Sequence, residues 1–178
     1  MARTNGVVAG LGIAAVVLLG AAEAAAQNTR RVSATLVGPA EVPAISTAAQ
    51  GSFSAVINET SGSVEWTLSY SGLSSDVLMA HIHFAQPNVN GGIVVWLCRT
   101  TQPGPAAPAS VPQQCPQSGT ISGVFTADDV VGTPQGIMAG EFDEVLWALR
   151  NGLAYANVHT ANHGGGEIRG QIRRGGGH

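Results

Sequence analysis

Apolar residues alternate with polar ones along most of this chain, and turn residues break the alternation at short intervals. Val32, Ala34 and Leu36 form one such run, Phe53, Ala55 and Ile57 a second, and Val64, Trp66 and Leu68 a third. Successive side chains of a strand point to opposite faces, so a period of two marks half-buried β-strands. Gly38-Pro39, Asn58-Glu59 and Ser61-Gly62 punctuate the runs, and the second and third runs read as a hairpin. Further strands are predicted over residues 77–83, 92–97, 120–125, 153–159 and 167–173. About eight short strands in one domain bury their apolar faces as an all-β sandwich or barrel.

One segment carries the other period. Phe142, Val145, Leu146 and Leu149 recur at helical spacing over residues 141–151, with Glu141, Asp143 and Glu144 at the start and Arg150 near the end. Gly152 supplies the stop, so a short helix precedes the penultimate strand. Thr126-Ala127-Asp128-Asp129 has the spacing of a capping box and predicts a second, shorter turn. Trp66, Trp96 and Trp147 read as core residues.

Arg3, an apolar run over residues 7–19 and Ala24-Ala25-Ala26 predict a secretory signal peptide over residues 1–26, cut before Gln27. The run is short for a membrane span, which needs roughly 20 apolar residues. Residues 27–178 then make one exported domain, periplasmic or secreted, large enough to hold a core. All 8 basic residues are arginine and the formal net charge is -3, which leaves no basic stripe for nucleic acid or anionic lipid. Cys98 and Cys115 are the only cysteines, and in an exported chain such a pair reads as a disulfide rather than as metal ligands. The proline-dense stretch over residues 103–116 between them reads as a loop.

Chemistry concentrates in two histidine clusters, Ala80-His81-Ile82-His83 and Asn157-Val158-His159-Thr160-Ala161-Asn162-His163. Alternation places Val77, Met79, His81 and His83 on one face of their strand, opposite Leu78, Ala80 and Ile82. It likewise places Leu153, Tyr155, Asn157 and His159 together, and Glu167, Arg169, Gln171 and Arg173 together. Neutral imidazole nitrogens suit copper and zinc, and an H-x-H pair on one strand face delivers two of them. His81 and His83 with His159 are therefore candidate metal ligands, and His163, on the following glycine-rich turn, is a candidate fourth. His178 follows a glycine run and is given no role. Tyr155, Asn157, Glu167 and Arg169 are candidate supporting residues around the metal. The same face reads equally as a hydrogen-bonded network that braces the terminal strands, and Glu167 with Arg169 reads as a structural ion pair.

The blocks Ala80-His81-Ile82-His83, Gly91-Gly92-Ile93-Val94-Val95, Ala154-Tyr155-Ala156-Asn157-Val158-His159-Thr160 and Gly165-Gly166-Glu167-Ile168-Arg169-Gly170-Gln171 resemble, in order and spacing, the CHRD domain. The resemblance runs from about Arg31 to Arg173. It implies an immunoglobulin-like β-sandwich with a distant likeness to copper-zinc superoxide dismutases, in a family without a settled activity. His81-Ile82-His83 looks like the dismutase copper-ligand strand, and Arg169 falls where an arginine would guide an anion. No histidine- and aspartate-bearing loop follows to make the second, zinc site, and the family commonly has proline in place of His163.

Three functions follow as expectations. The first is an exported CHRD-type binding module with a mononuclear copper or zinc site. The second is a copper-dependent redox enzyme of dismutase type that uses Arg169. The third is an adhesion or partner-binding module whose histidines are structural, with a protein partner that nothing in the chain names.

Overall fold

The computed structural model describes residues 29–100 and 113–175. The predicted signal peptide, most of the proline-dense loop and His178 lie outside the described residues. Among those described, no helix is long and apolar enough to cross a membrane.

The chain folds as an all-β, antiparallel structure whose strands are β1 (Thr29–Val37), β2 (Gln50–Asn58), β3 (Ser63–Ser71), β4 (Val77–Phe84), β5 (Gly92–Arg99), β6 (Gly119–Phe125), β7 (Ala154–Thr160), β8 (Ile168–Gln171) and the two-residue β9 (Arg173–Arg174). They hydrogen-bond in the order β5-β4-β7-β8-β1-β2-β3-β6, with β9 added to β1. The sheet has two halves, β5-β4-β7-β8 and β1-β2-β3-β6. A single β8–β1 register pair, Val37 with Arg169, and the short β9 ladder join them. The two outer edges are also tied. Cys98 at the end of β5 is disulfide-bonded to Cys115 before β6, and Val95 of β5 bridges Val130 just after β6. A bridge of 17-residue separation lowers unfolded-chain entropy enough to stabilise by about 3 kcal/mol.

The predicted alternation holds through β1, β2 and β3. Val32 and Leu36, Phe53 and Ile57, and Val64, Trp66 and Leu68 are all buried in one core, β2 and β3 forming the hairpin. Each fully buried Leu, Ile, Val or Phe contributes roughly 1.5–3 kcal/mol through removal of apolar surface from water. At the seam between the halves, a Cβ on Gly170 would collide with the Thr35 carbonyl, so β8 approaches β1 too closely for any side chain there.

The helix α1 (Phe142–Asn151) packs Val145, Leu146, Ala148 and Leu149 into the core and stops at Gly152 in the left-handed region. Trp147, expected in the core, lies on its outer side at 50% exposure, because the three-four spacing of the buried residues leaves position 147 facing away. The second turn is a 3-10 turn, Ala127–Asp129, in which Asp129 accepts a hydrogen bond from the Thr126 N–H at 2.9 Å.

Irregularities in β4 and β5 change which residues share a face. Val77 pairs with Thr160 but Met79 with His159, so Leu78 is an extra residue and Val77 swings onto the core side, away from the histidine face where alternation put it. On β5 the register slips at Leu97 and again at Val94. The first slip puts Trp96 opposite His81 on the outer face instead of in the core. A β-bulge re-aims side chains in this way wherever one strand carries an unpaired residue.

Candidate metal centre

Direct cross-strand partners lie on one face of a sheet, so the registers fix the layout of the outer face of β4-β7-β8. His81 is opposite Asn157, His83 opposite Tyr155, Met79 opposite His159, and Asn157 opposite Arg169. His159 is thus the diagonal neighbour of His81, within reach of long side chains. One ligand atom from each of His81, His83 and His159 lies within 4.8 Å of the others, and all three residues are buried. His163 is not in this group. It sits in the turn after β7, where its backbone N–H and C=O bond to Thr160 and Gly166.

Hydrogen bonds assign the ring nitrogens their roles. His83 Nδ1 lies 2.9 Å from the Gly91 carbonyl and His159 Nδ1 lies 3.0 Å from the Gly164 carbonyl. A carbonyl only accepts, so both Nδ1 atoms carry the proton and both Nε2 atoms present a lone pair. Metal-ligating histidines are commonly oriented by such a bond on the far nitrogen. His81 Nδ1 then donates to His159 Nε2 at 3.2 Å. The Nε2 atoms of His81 and His83 are buried without a hydrogen-bond partner, a costly condition in a protein interior that a metal ion would relieve.

The rings are held neutral. Burial lowers the pKa of His83 and of His159 to about 4, against the raising effect of their carbonyl partners, with Arg169 lowering both further. His81 falls well below the ordinary imidazole range through burial, then through the charges of His159, His83 and Arg99. A neutral ring is the form that binds metal.

Aromatic and cationic groups wall the rings. Tyr155 stacks on His83 with centroids 4.7 Å apart, and the Arg169 guanidinium lies 4.5 Å from the Tyr155 ring centre. Trp96 meets His81 edge-on at 4.1 Å, and Arg99 lies over Trp96 at 5.7 Å.

Of the predicted supporting residues, Tyr155 and Asn157 are on the histidine face, whereas Glu167 and Arg169 differ from expectation. They do not pair. Gly166, at φ 124, turns the chain just before Glu167, and β8 begins only at Ile168, so the alternation does not reach position 167. The Glu167 carboxylate instead accepts bonds from Thr47, Ser74 and Thr160 at 2.7–2.9 Å and ties three segments together. Burial pulls its carboxyl up, but those hydrogen bonds outweigh it and leave the pKa below the ordinary value.

Arg169 pairs with Glu41 at 2.8 Å, donates to the Val89 carbonyl at 3.2 Å and reaches Asn90 Oδ1. It is 4% exposed, which removes it as a guide for incoming anions. Glu41, 5% exposed, is raised by burial despite the Arg169 hydrogen bond and charge. A Cβ on Gly166 would lie 2.6 Å from Asn157 Oδ1 and 2.7 Å from Glu41 Oε1, so only glycine fits beside this network.

Sequence reasoning missed Glu41, the carbonyls of Gly91 and Gly164, and Trp96 as a wall. Backbone acceptors have no sequence signal. Glu41 stands 128 residues from Arg169, and only the fold brings them together.

The residues therefore fit a mononuclear, nitrogen-ligated ion held by His81, His83 and His159. No second cluster of this kind occurs among the described residues. No curated protein and no solved structure matches the chain. The family model of the CHRD domain matches residues 32–172, from the first core residue of β1 to the last apolar residue between β8 and β9, and the chain belongs to the CHRD domain family.

Proposed function

We propose that this protein is an exported CHRD-domain binding module, periplasmic or secreted, that holds one copper or zinc ion through His81, His83 and His159. The observation that carries the reading is that His81, His83 and His159 each bring one ring nitrogen within 4.8 Å of the others, with the Nε2 atoms of His81 and His83 buried and unpartnered. Gly91 and Gly164 orient two of the rings from behind, Tyr155 and Trp96 fix their planes, and the roof of loops excludes bulk water. When bound, copper would bring one-electron chemistry and zinc Lewis acidity. The Cys98–Cys115 bridge supports export, since disulfides persist in oxidising compartments. His163 is an optional fourth ligand that enters only if its turn moves toward the three rings.

Isothermal titration of copper and zinc separately into the purified protein tests the reading. Stoichiometric binding of one ion is expected, with its loss in the His81→Ala/His83→Ala variant. Unchanged affinity in that variant removes the site.

The 3.2 Å His81–His159 hydrogen bond favours a second reading, in which the rings brace a metal-free partner-binding module. Metal analysis of protein taken from its native compartment separates the two, since a stable protein with no bound metal supports the bracing role.

A further inference from the structure

We infer that the three-histidine pocket selects monovalent copper, Cu(I), over Zn(II) and Cu(II), and that Arg99 sets this preference. The inference rests on the metal reading above and adds the charge of the ion and the residue that discriminates.

The ligand set brings no negative charge. All three ligands are neutral imidazoles, and no carboxylate or thiolate joins them among the described residues. Of the two nearby carboxylates, Glu41 meets Arg169 through Oε2 and Glu167 is held by Thr47, Ser74 and Thr160, and neither falls within the ligand group. Both cysteines are locked in their disulfide. An ion in this pocket keeps its whole charge.

The surroundings penalise that charge. Exposure of the three residues is 1%, 7% and 6% for His81, His83 and His159, so water screens the ion poorly. The cost of desolvating an ion grows with the square of its charge, and a dication therefore meets about four times the penalty of a monocation.

Arg99 adds a term linear in charge. It belongs to none of the ion pairs found among the described residues, and its guanidinium lies over Trp96, whose ring abuts His81. One ring, that of Trp96, separates this positive charge from His81, with Arg99 5.7 Å from the Trp96 centre and Trp96 4.1 Å from the His81 centre. Arg169 stands behind Tyr155 in the same way, but it is ion-paired with Glu41. Arg99 is thus the wall cation outside any ion pair among the described residues, and a dication feels it twice as strongly as Cu(I). Cu(I) is satisfied by three imidazoles alone, whereas zinc on three histidines takes a water as its fourth ligand, for which this buried site must make room. The pocket would accordingly hold copper in its reduced state rather than cycle it.

Anaerobic competition tests this with the full chain and its Arg99→Gln variant, using the Cu(I)–bicinchoninate complex for one titration and Zn(II) with a chromophoric chelator for the other. The wild-type protein is expected to take Cu(I) on the order of a hundredfold more tightly than Zn(II). Arg99→Gln is expected to strengthen Zn(II) binding about tenfold and Cu(I) binding only about threefold, and to lower the Cu(II)/Cu(I) reduction potential. Arg99 is partly exposed at the end of β5, and a thermal melt of the variant checks that the fold is kept. Preference of the wild type for Zn(II), or equal shifts for both ions in the variant, overturns the inference while leaving the metal site standing. Uptake of neither ion overturns the metal reading and this inference together.

Discussion

The two halves of the sheet share a core and differ on their outer faces. On β1-β2-β3-β6 two outward rows are hydroxylic and in register: Ser33, Ser54, Thr67 and Ser122 make one, and Thr35, Ser52, Ser69 and Thr120 the next. Most of them are exposed. On β4-β7-β8 the corresponding positions carry His81, His83, Tyr155, Asn157, His159 and Arg169, and every one is buried. The difference lies above the sheet. Glu41, the Val89–Gly91 backbone and the Gly164–Gly166 turn reach over the second face through hydrogen bonds and close contacts, and among the described residues no such roof ties down the first. The same strand periodicity therefore yields a solvated surface in one half and a dry polar site in the other.

Acid should separate the halves most. The folded His83 and His159 rings resist protonation down to about 4, whereas unfolded imidazoles take a proton near 6.5. Between these values the unfolded chain binds more protons, so stability is complete above pH of about 6.5 and is lost as pH falls toward 4. For the metal-free protein the two rings together cost on the order of 5 kcal/mol by pH 4, read by denaturant midpoints across the range. Hydroxyl groups titrate nowhere in this window. Equal stability at pH 7 and pH 4.5 would show that the rings are not dry.

The buried ion pair should come next. Glu41→Gln leaves Arg169 without its partner in a site where both are nearly inaccessible, and is expected to destabilise by about 3–5 kcal/mol in urea unfolding. Arg30→Ala, which breaks the exposed Arg30–Glu59 pair on the other half, should cost less than about 1 kcal/mol. Similar costs for the two would mean that the roof over the histidine face is open to water.

The smallest effect is expected on the hydroxyl face. Ser54→Val should change stability within about 0.5 kcal/mol, and metal affinity should be unchanged in calorimetry. A loss of affinity would couple the two faces and undo the distinction drawn between them.

Much of this contrast was legible from the residues. Alternation located β1 to β3, the shared face of His81 and His83, and the shared face of Tyr155, Asn157 and His159, while the β4–β7 pairing is what sets the two faces side by side. What escaped it has physical causes. An extra residue at Leu78 and the register slips on β5 reverse Val77 and Trp96, and a bulge has no compositional mark in these segments. The Gly166 turn detaches Glu167 from the strand that follows. The Glu41–Arg169 pair depends on a loop meeting a strand from the far end of the chain, a consequence of sheet order that local pattern does not encode.

The tight seam at Gly170 bears on traffic. Because β8 lies against Thr35 with no space for even a methyl group, the two halves are welded there rather than hinged. The ion proposed for the three imidazoles would not leave by parting of the strands at this seam. The segments over the rings are those of Gly91 and Gly164, whose carbonyls also set two of them, so a movement of either segment away from the sheet would release the ring it orients.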